Sequence, residues 1–148
     1  MAGHKLLLTL GVLLAAAGLS GCSSTDGAEA DSGGFHTLAE ENADAQQYLP
    51  DDLPIPEGAG ITFTQGEVAE GKKSSMLIYE TEESMAALGS TYQKYVRDKD
   101  LERGTEIVDS NNILINGKVS GSYSYSIIGS SSDSKPGGNE IIVTWILN

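Results

Sequence analysis

The sequence predicts an α+β fold: an antiparallel sheet of about five strands with one main helix packed on one face, in the order ββαβββ. Apolar and polar residues alternate along several short segments, as they do in half-buried strands. Between two of these segments, apolar residues recur at helical spacing. Turn signals containing Gly and Asn separate the segments. Consecutive strands around a single helix favour α+β over a parallel α/β sheet.

Two strands are predicted before the helix. Residues 61–64 alternate in polarity, residues 73–80 form the second strand, and residues 70–72 supply the turn between them. Thr81 is the predicted N-cap of the helix, which should end by about Asp100. The apolar face of the helix is predicted from Met85, Leu88, Tyr92, Tyr95 and Val96.

The chain after the helix predicts further strands. Residues 105–109 form a strand that Ser110-Asn111-Asn112 interrupts. Asn116-Gly117 is a type I′ hairpin signal, with residues 113–115 leading in and residues 118–128 leading out.

The C-terminal part supplies a loop, a strand and three aromatic residues. Residues 129–138 are rich in Ser and Gly and predict a mobile loop. The strand at 140–147 is apolar on both faces, so it should be central or covered. Tyr123, Tyr125 and Trp145 are a candidate ligand face, although aromatic residues alternating along a strand also form core or cross-strand packing.

The N-terminus predicts a secretory signal peptide over residues 1–21. Lys5 gives a positive start, an almost wholly apolar run follows to Leu19, and small residues lead into Cys22. The run is shorter than the roughly 20 apolar residues that comfortable spanning needs.

Leu19-Ser20-Gly21-Cys22 resembles the lipobox of bacterial lipoproteins. The resemblance covers the first 22 residues. It implies diacylglyceryl transfer to the Cys22 sulfur, cleavage between Gly21 and Cys22, and often a further acyl chain such as palmitate. The alternative is an ordinary secretory signal with a chance cysteine at the cut. Several acyl chains would hold the protein stably, since each buried CH₂ contributes about 0.8 kcal/mol.

This resemblance implies an anchored protein on the extracytoplasmic side of the cell membrane or the outer membrane. Ser23 directly after the cysteine is similar to lipoproteins sorted to the outer membrane. Residues 22–49 are then a flexible acidic tether, because residues 23–34 are too polar to bury a core. A single domain is predicted over 50–148.

Within the predicted tether, Thr37-Leu38-Ala39-Glu40 matches a capping box and predicts a short helix. Leu38, Ala45 and Leu49 would share one side of it.

The domain entrance, Leu53-Pro54-Ile55-Pro56-Glu57-Gly58-Ala59, also carries a resemblance. With the hairpin, helix and strands after it, it resembles small uncharacterised lipoprotein domains of bacteria over about residues 50–148. The element order is similar to the helix-grip modules of an accessory lipoprotein in outer-membrane barrel assembly. That likeness concerns the fold and implies no function.

Composition and residue inventory exclude several activities. The chain has 9 Lys+Arg against 21 Asp+Glu and a formal charge of −12, which repels nucleic-acid phosphates. His4 and His36 lie outside residues 50–148, and Cys22 is the only cysteine. Ser-His-Asp, Cys-His and zinc chemistry are therefore not expected in the domain, and no metal or cofactor is predicted.

Three weaker sites remain open. Paired carboxylates could hydrolyse glycosides, but no spacing selects a pair. A Ser-Lys dyad could use Lys118 or Lys135. Residues 98–102 place alternate acidic side chains near the helix end, as calcium loops do, but the glycine of such loops is missing and a solvated helix end explains the pattern.

The favoured function is a non-catalytic binding or accessory module of the cell envelope, whose partner is an envelope protein or another envelope component. The alternative is a carboxylate-based envelope hydrolase. Buried, clustered acids in a deep cleft would favour the hydrolase, whereas acids spread over a shallow surface would favour binding. The expected binding face is the sheet side opposite the helix, together with the 129–138 loop.

Overall fold

A computed structural model describes residues 34–41 and 47–148 of the chain. The predicted signal peptide, the Gly21–Cys22 cleavage site and the first part of the tether lie outside the described residues. The α+β class and the antiparallel sheet are confirmed. The strand number is wrong: the main sheet has six strands rather than five, and a second sheet has two.

The elements follow one another in a simple order along the chain. They are β1 (Phe35–Thr37), α1 (Leu38–Glu41), β2 (Pro54–Pro56), β3 (Gly60–Ala69), β4 (Lys72–Thr81), α2 (Met85–Asp98), β5 (Glu106–Val108), β6 (Ile113–Val119), β7 (Tyr123–Ser131) and β8 (Asn139–Leu147). The main sheet has the order β3-β4-β8-β7-β6-β5, and β1 pairs with β2 separately. The last strand, β8, lies inside the sheet, as its apolar character on both faces predicts.

The core lies between one face of the main sheet and α2. Met85, Leu88, Tyr92 and Val96 are buried, which confirms the predicted face of the helix, and Tyr95 packs at its margin. Gly89 of α2 is also buried. The helix therefore covers one side of the sheet and leaves the other side to solvent.

The start of α2 differs from the prediction. Ser84 is the N-cap, and its hydroxyl accepts a hydrogen bond from the Ala87 backbone N–H at 3.1 Å. Thr81 instead ends β4, where it pairs with Asn139. Glu82 and Glu83 therefore precede the helix, because the sheet ladder extends β4 to Thr81.

The hairpin prediction at Asn116-Gly117 is wrong, because both residues lie within β6. A Cβ on Gly117 would lie 1.7 Å from the Glu102 carbonyl oxygen, so the glycine permits a close backbone approach rather than a turn. The turn between β6 and β7 uses Gly121, whose φ is 77°. Its left-handed backbone is the conformation that glycine adopts without strain.

The interrupted strand at 105–115 is two strands, β5 and β6, and this supplies the sixth strand. The backbone N–H groups of Asn111 and Asn112 each donate to the Asp109 carboxylate at 2.8 Å. These hydrogen bonds close a tight turn and hold the pKa of Asp109 below its ordinary value. Polar residues that looked like a break in a strand therefore form a hairpin.

Residues 34–41 lie within the segment predicted as a tether, and in the structure they pair and pack with the rest of the described chain. Phe35 to Thr37 pair with β2. The predicted short helix is confirmed as α1, where the Glu40 carboxylate accepts from the Thr37 backbone N–H at 2.8 Å. Leu38 is fully buried and Leu49 nearly so, whereas Ala45 lies outside the described residues. The apolar side chains of this segment are part of the core.

Two buried tyrosines connect the N-terminal segment to the sheet. The Tyr92 hydroxyl donates to the Pro54 carbonyl oxygen at 2.9 Å and accepts from the Tyr79 hydroxyl at 2.5 Å. Burial raises the pKa of both tyrosines above the ordinary value. These bonds hold β2 against α2, on the side of the sheet that the helix covers.

Candidate functional site

The sheet face opposite α2 carries a continuous line of apolar side chains. One residue from each of the six strands contributes, and each is the direct register partner of the next. In spatial order they are Phe63, Ile78, Ile142, Ile128, Leu114 and Ile107. We call this line the apolar row and the sheet side that bears it the open face. Phe63, Ile128 and Ile107 are exposed, with 41% exposure at Ile128 and 50% at Ile107.

The lines of residues on the two sides of the apolar row differ in charge, and one of them is uncharged. The next line across the sheet runs Gln65, Met76, Thr144, Ser126 and Asn116. On the other side of the row, Glu80 and Glu140 are register partners two residues along the strands from Ile78 and Ile142, directly beside the row. Glu67 and Lys118 lie further out, four residues from the row on β3 and β6. The row itself is thus free of charge, and acidic side chains flank it on one side.

A shallow depression interrupts the open face beside the row. It has a volume of about 230 Å³, and Met76, Thr144 and Ile146 contribute to its lining. A second, more polar cavity of about 360 Å³ lies at the end of β4, between that strand and the loop before β8. Its lining residues are Glu57, Gly58, Thr81, Glu82, Glu83 and Lys135.

The loop before β8 borders the open face and is tied to β4. The predicted loop at 129–138 is shorter in the structure, because β7 continues to Ser131. The Ser132 hydroxyl donates to Glu80 Oε1 at 2.5 Å, and the Ser134 hydroxyl donates to the same atom. Lys135 forms an ion pair with Glu82 at 3.3 Å. These contacts hold a segment whose Ser/Gly composition predicts mobility.

The two serine hydroxyls hold the pKa of Glu80 below its ordinary value of 4.5. Because the pKa of Glu80 is lower in the folded state than its ordinary value, the ionised carboxylate stabilises the folded state at pH values above that ordinary value. This stabilisation is lost as the pH falls through the folded-state pKa. We expect the double substitution Ser132→Ala/Ser134→Ala to raise the pKa of Glu80 towards 4.5, measured by NMR titration of its side chain. Ser130→Ala, near the end of β7 just before this loop, is the control. An unchanged Glu80 pKa in the double variant would contradict the assigned hydrogen bonds.

The three aromatic residues of the predicted ligand face lie together, but on the helix side of the sheet. The Tyr125 and Trp145 rings stack with centroids 5.3 Å apart, and Tyr123 stacks on Trp145 at 5.8 Å. Tyr125 is 3% exposed and Trp145 is 6% exposed. The Tyr125 hydroxyl donates to the Glu102 carbonyl oxygen at 2.8 Å, and burial raises the pKa of Tyr125 to about 12. The three rings therefore pack against one another across the strands, which is the alternative to a ligand face. Tyr125 and Trp145 have little ring surface left for a ligand.

The carboxylates of the described residues are spread over the surface, and each is exposed or half-buried. Asp98, in the candidate calcium segment, forms an ion pair with Lys94 one helical turn earlier. Lys118 lies on the open face, and Lys135 is paired with Glu82. Within residues 34–41 and 47–148, no group of three or more His, Cys, Asp or Glu side chains is placed to hold a metal ion.

One histidine lies inside the fold, contrary to the prediction that both lie outside the domain. His36 is in β1, opposite Ile55 of β2, and its Nε2 is 2.6 Å from Glu41 Oε2. The sequence argument against histidine chemistry therefore applies to residues 50–148 and not to the whole folded domain. An imidazole beside a carboxylate supplies two of the three members of a hydrolytic triad, which also needs a nucleophile.

Comparisons with known protein families, with curated proteins and with solved structures found no match for this chain. In the part of the chain that the structure describes, no helix has the length and apolarity to cross a membrane. The open face was anticipated from the sequence as the side opposite the helix, but its six residues were not. The sequence signal for these six residues is a second group of apolar residues on β4, β7 and β8. Along each strand they alternate with the apolar residues that face the core.

Proposed function

We propose that this protein is an exported lipoprotein, anchored in a membrane through Cys22, whose domain is a non-catalytic binding module of the cell envelope. The observation that carries the proposal is the apolar row. Exposed apolar surface that is contiguous and bordered by polar residues is typical of interaction sites. The row is unusual here because it lies on a strongly acidic chain.

The anchoring half of the proposal rests on the N-terminal sequence. Residues 1–21 have the three parts of a secretory signal, and Cys22 stands where lipoprotein processing modifies a cysteine. An anchored domain would present its open face to other components on the extracytoplasmic side. A high negative charge favours solubility and disfavours non-specific contact with anionic surfaces.

The distribution of acidic groups favours binding over hydrolysis. General acid–base catalysis by a carboxylate uses a pKa raised by burial or by a like charge nearby. In the structure the pKa values of Asp52, Glu80 and Asp98 are lowered instead, and at Asp52 this occurs although partial burial acts in the opposite direction. Their partners are Lys99 and Tyr95, two serine hydroxyls, and Lys94, respectively. These contacts keep the carboxylates ionised. The carboxylates are therefore surface groups that pair with cations and accept hydrogen bonds.

Site-specific photo-crosslinking in the native cell tests the proposal. A photo-reactive residue replaces Ile128 in the full chain, and the matched control replaces Val68, which is 57% exposed but lies on the other face. We expect several-fold more adduct from position 128 than from position 68, since only position 128 lies in the apolar row. Equal adduct yields at the two positions would contradict a binding role for the open face.

Turnover of peptidoglycan, glycoside or ester substrates by the purified protein is the test of the hydrolase alternative. The binding proposal predicts no turnover. Turnover that disappears when one Asp or Glu is changed to its amide would establish the alternative. Turnover that disappears in His36→Gln would assign the activity to the His36–Glu41 pair instead.

A further inference from the structure

We infer that the open face binds an amphipathic helix of a partner protein, with Lys or Arg side chains beside the apolar stripe of that helix. The inference rests on the proposed function, because it states the chemistry of the partner at the proposed binding surface. Its observations are an apolar strip along two interior strands, carboxylates at both ends of that strip, and the depression beside the apolar row.

The apolar strip runs along β4 and β8, which are neighbouring interior strands of the main sheet. Its apolar residues, all exposed or half-buried, are Met76, Ile78, Ile142 and Ile146. Ile128 of β7 adjoins the strip as the register partner of Ile142. Residues 74–80 of β4 extend over roughly 20 Å at about 3.3 Å per residue. A helix of about 13 residues has the same length, at about 1.5 Å per residue.

The partner segment is a helix rather than an extended strand, because the strip lies on a face of the sheet and not at its edge. The backbones of β4 and β8 already pair with strands on both sides. An extended segment laid on this face would hold its own backbone N–H and C=O groups over apolar side chains, which is costly. A helix satisfies these groups internally, and α2 packs on the other face in this way.

Two carboxylates at one end of the strip favour a basic side chain on the partner. Glu80 and Glu140 are register partners, directly beside Ile78 and Ile142. Like charges directly opposite each other destabilise a sheet. Among the described residues no Lys or Arg forms an ion pair with either carboxylate, and Glu80 accepts hydrogen bonds from two serine hydroxyls. A Lys or Arg of the partner placed between the two carboxylates would pair with both.

The depression at the other end of the strip fits a second basic side chain. Met76 and Ile146 supply apolar lining, and Glu67 supplies a carboxylate, around a volume of about 230 Å³. Lys and Arg combine an apolar stem with a charged head, so they match this lining. We therefore expect basic residues near both ends of the partner's apolar stripe, about three helical turns apart.

The same charges disfavour the other occupants of the open face. Nucleic-acid phosphates and anionic lipid headgroups would meet carboxylates at both ends of the strip. A second copy of this chain would bring its own acidic side chains, since the net charge is −12. Lys72 and Lys118 also lie on this side of the sheet, but outside the strip. The negative charge of the chain attracts a basic segment before contact and raises its rate of association.

Photo-crosslinking in the native cell identifies the partner segment. The photo-reactive residue stands at position 128 of the full chain, and the crosslinked peptide is sequenced by mass spectrometry. We expect a segment with apolar residues at helical spacing and with Lys or Arg beside them. A segment without this pattern, a second copy of this chain or a lipid would overturn the inference and leave the binding module standing. Equal adduct yields from positions 128 and 68 would overturn both.

Removing the two carboxylates tests the charge complementarity. Glu80→Gln/Glu140→Gln should lower the adduct yield from position 128 by about five- to tenfold, because two exposed charge pairs are lost. Glu102→Gln/Glu106→Gln makes the same change in net charge, and Glu106 lies on the helix side, where it accepts from Gln93 of α2. This control should stay within about twofold, since salt screens distant charges. Glu140→Gln, which keeps the hydrogen bonds of Glu80, is the second variant if the double variant fails to fold. Unchanged yields in the variants that fold would overturn the inference.

Two synthetic helices test the same contact without the native partner. Both carry one stripe of Leu, which is flanked by Lys in the first and by Glu in the second, and both are added to native membranes that contain the full chain. Relative to position 68, position 128 should crosslink the Lys helix several-fold more than the Glu helix. Glu140→Lys should reduce this preference. Equal crosslinking of the two helices to the wild-type chain, or an undiminished preference in Glu140→Lys, would overturn the inference.

Discussion

Replacing Cys22 with alanine is expected to abolish lipid labelling of the protein completely. The acyl chains of a lipoprotein are attached through the cysteine sulfur and the amino group that cleavage exposes, and the sequence has no other cysteine to substitute. The precursor should remain uncut or the protein should move to the soluble fraction. Incorporation of labelled palmitate into the full chain in its native cell measures the first effect, and fractionation measures the second.

The neighbouring serine provides the control for that experiment. Ser23→Ala changes the residue after the cut, keeps the cysteine and should leave palmitate incorporation intact. A change of destination between membranes, with the lipid retained, is the effect that Ser23→Ala would report. Unchanged palmitate incorporation in Cys22→Ala would show that the resemblance to a lipobox is accidental and would remove the anchor from the proposed function.

The parts of the fold that were predicted correctly are those with a local cause. The period of two in β3 and β4 and the helical spacing of Leu88, Tyr92 and Val96 are set by which side chains face the core. The central position of β8 follows from apolar residues on both of its faces. Each of these features depends on residues within one segment, so the sequence of that segment suffices to predict it.

The parts that were predicted wrongly depend on residues far apart in the chain. Asn116-Gly117 has the sequence of a turn, but Gly117 meets the Glu102 carbonyl and Asn116 accepts a hydrogen bond from the Thr105 backbone N–H. Those contacts exist only once the segment before β5 lies beside β6. Thr81 is a reasonable cap until its pairing with Asn139 extends the strand. Tertiary pairing overrides a local signal in both cases.

The candidate site shows the same limit. The side of the sheet could be predicted, because α2 has one apolar face and covers one side only. The apolar row could not be predicted, because it requires the register of five strand pairs, from Phe63 and Ile78 to Leu114 and Ile107. A shift of one residue in any pair would turn that strand's row residue to the other face. The same dependence makes the row a specific feature of the fold.

Leu38→Ala is expected to destabilise the domain by about 2–5 kcal/mol, the usual loss for a buried leucine. Leu38 is fully buried, and its backbone N–H donates to the Leu53 carbonyl oxygen at 2.8 Å. Urea denaturation of the full chain measures the change, and the melting temperature should fall by roughly 10 °C or more. Val68→Ala, at an exposed position, should cost less than about 0.5 kcal/mol. A Leu38→Ala chain as stable as the control would return residues 34–41 to the tether and would leave the domain beginning at residue 50.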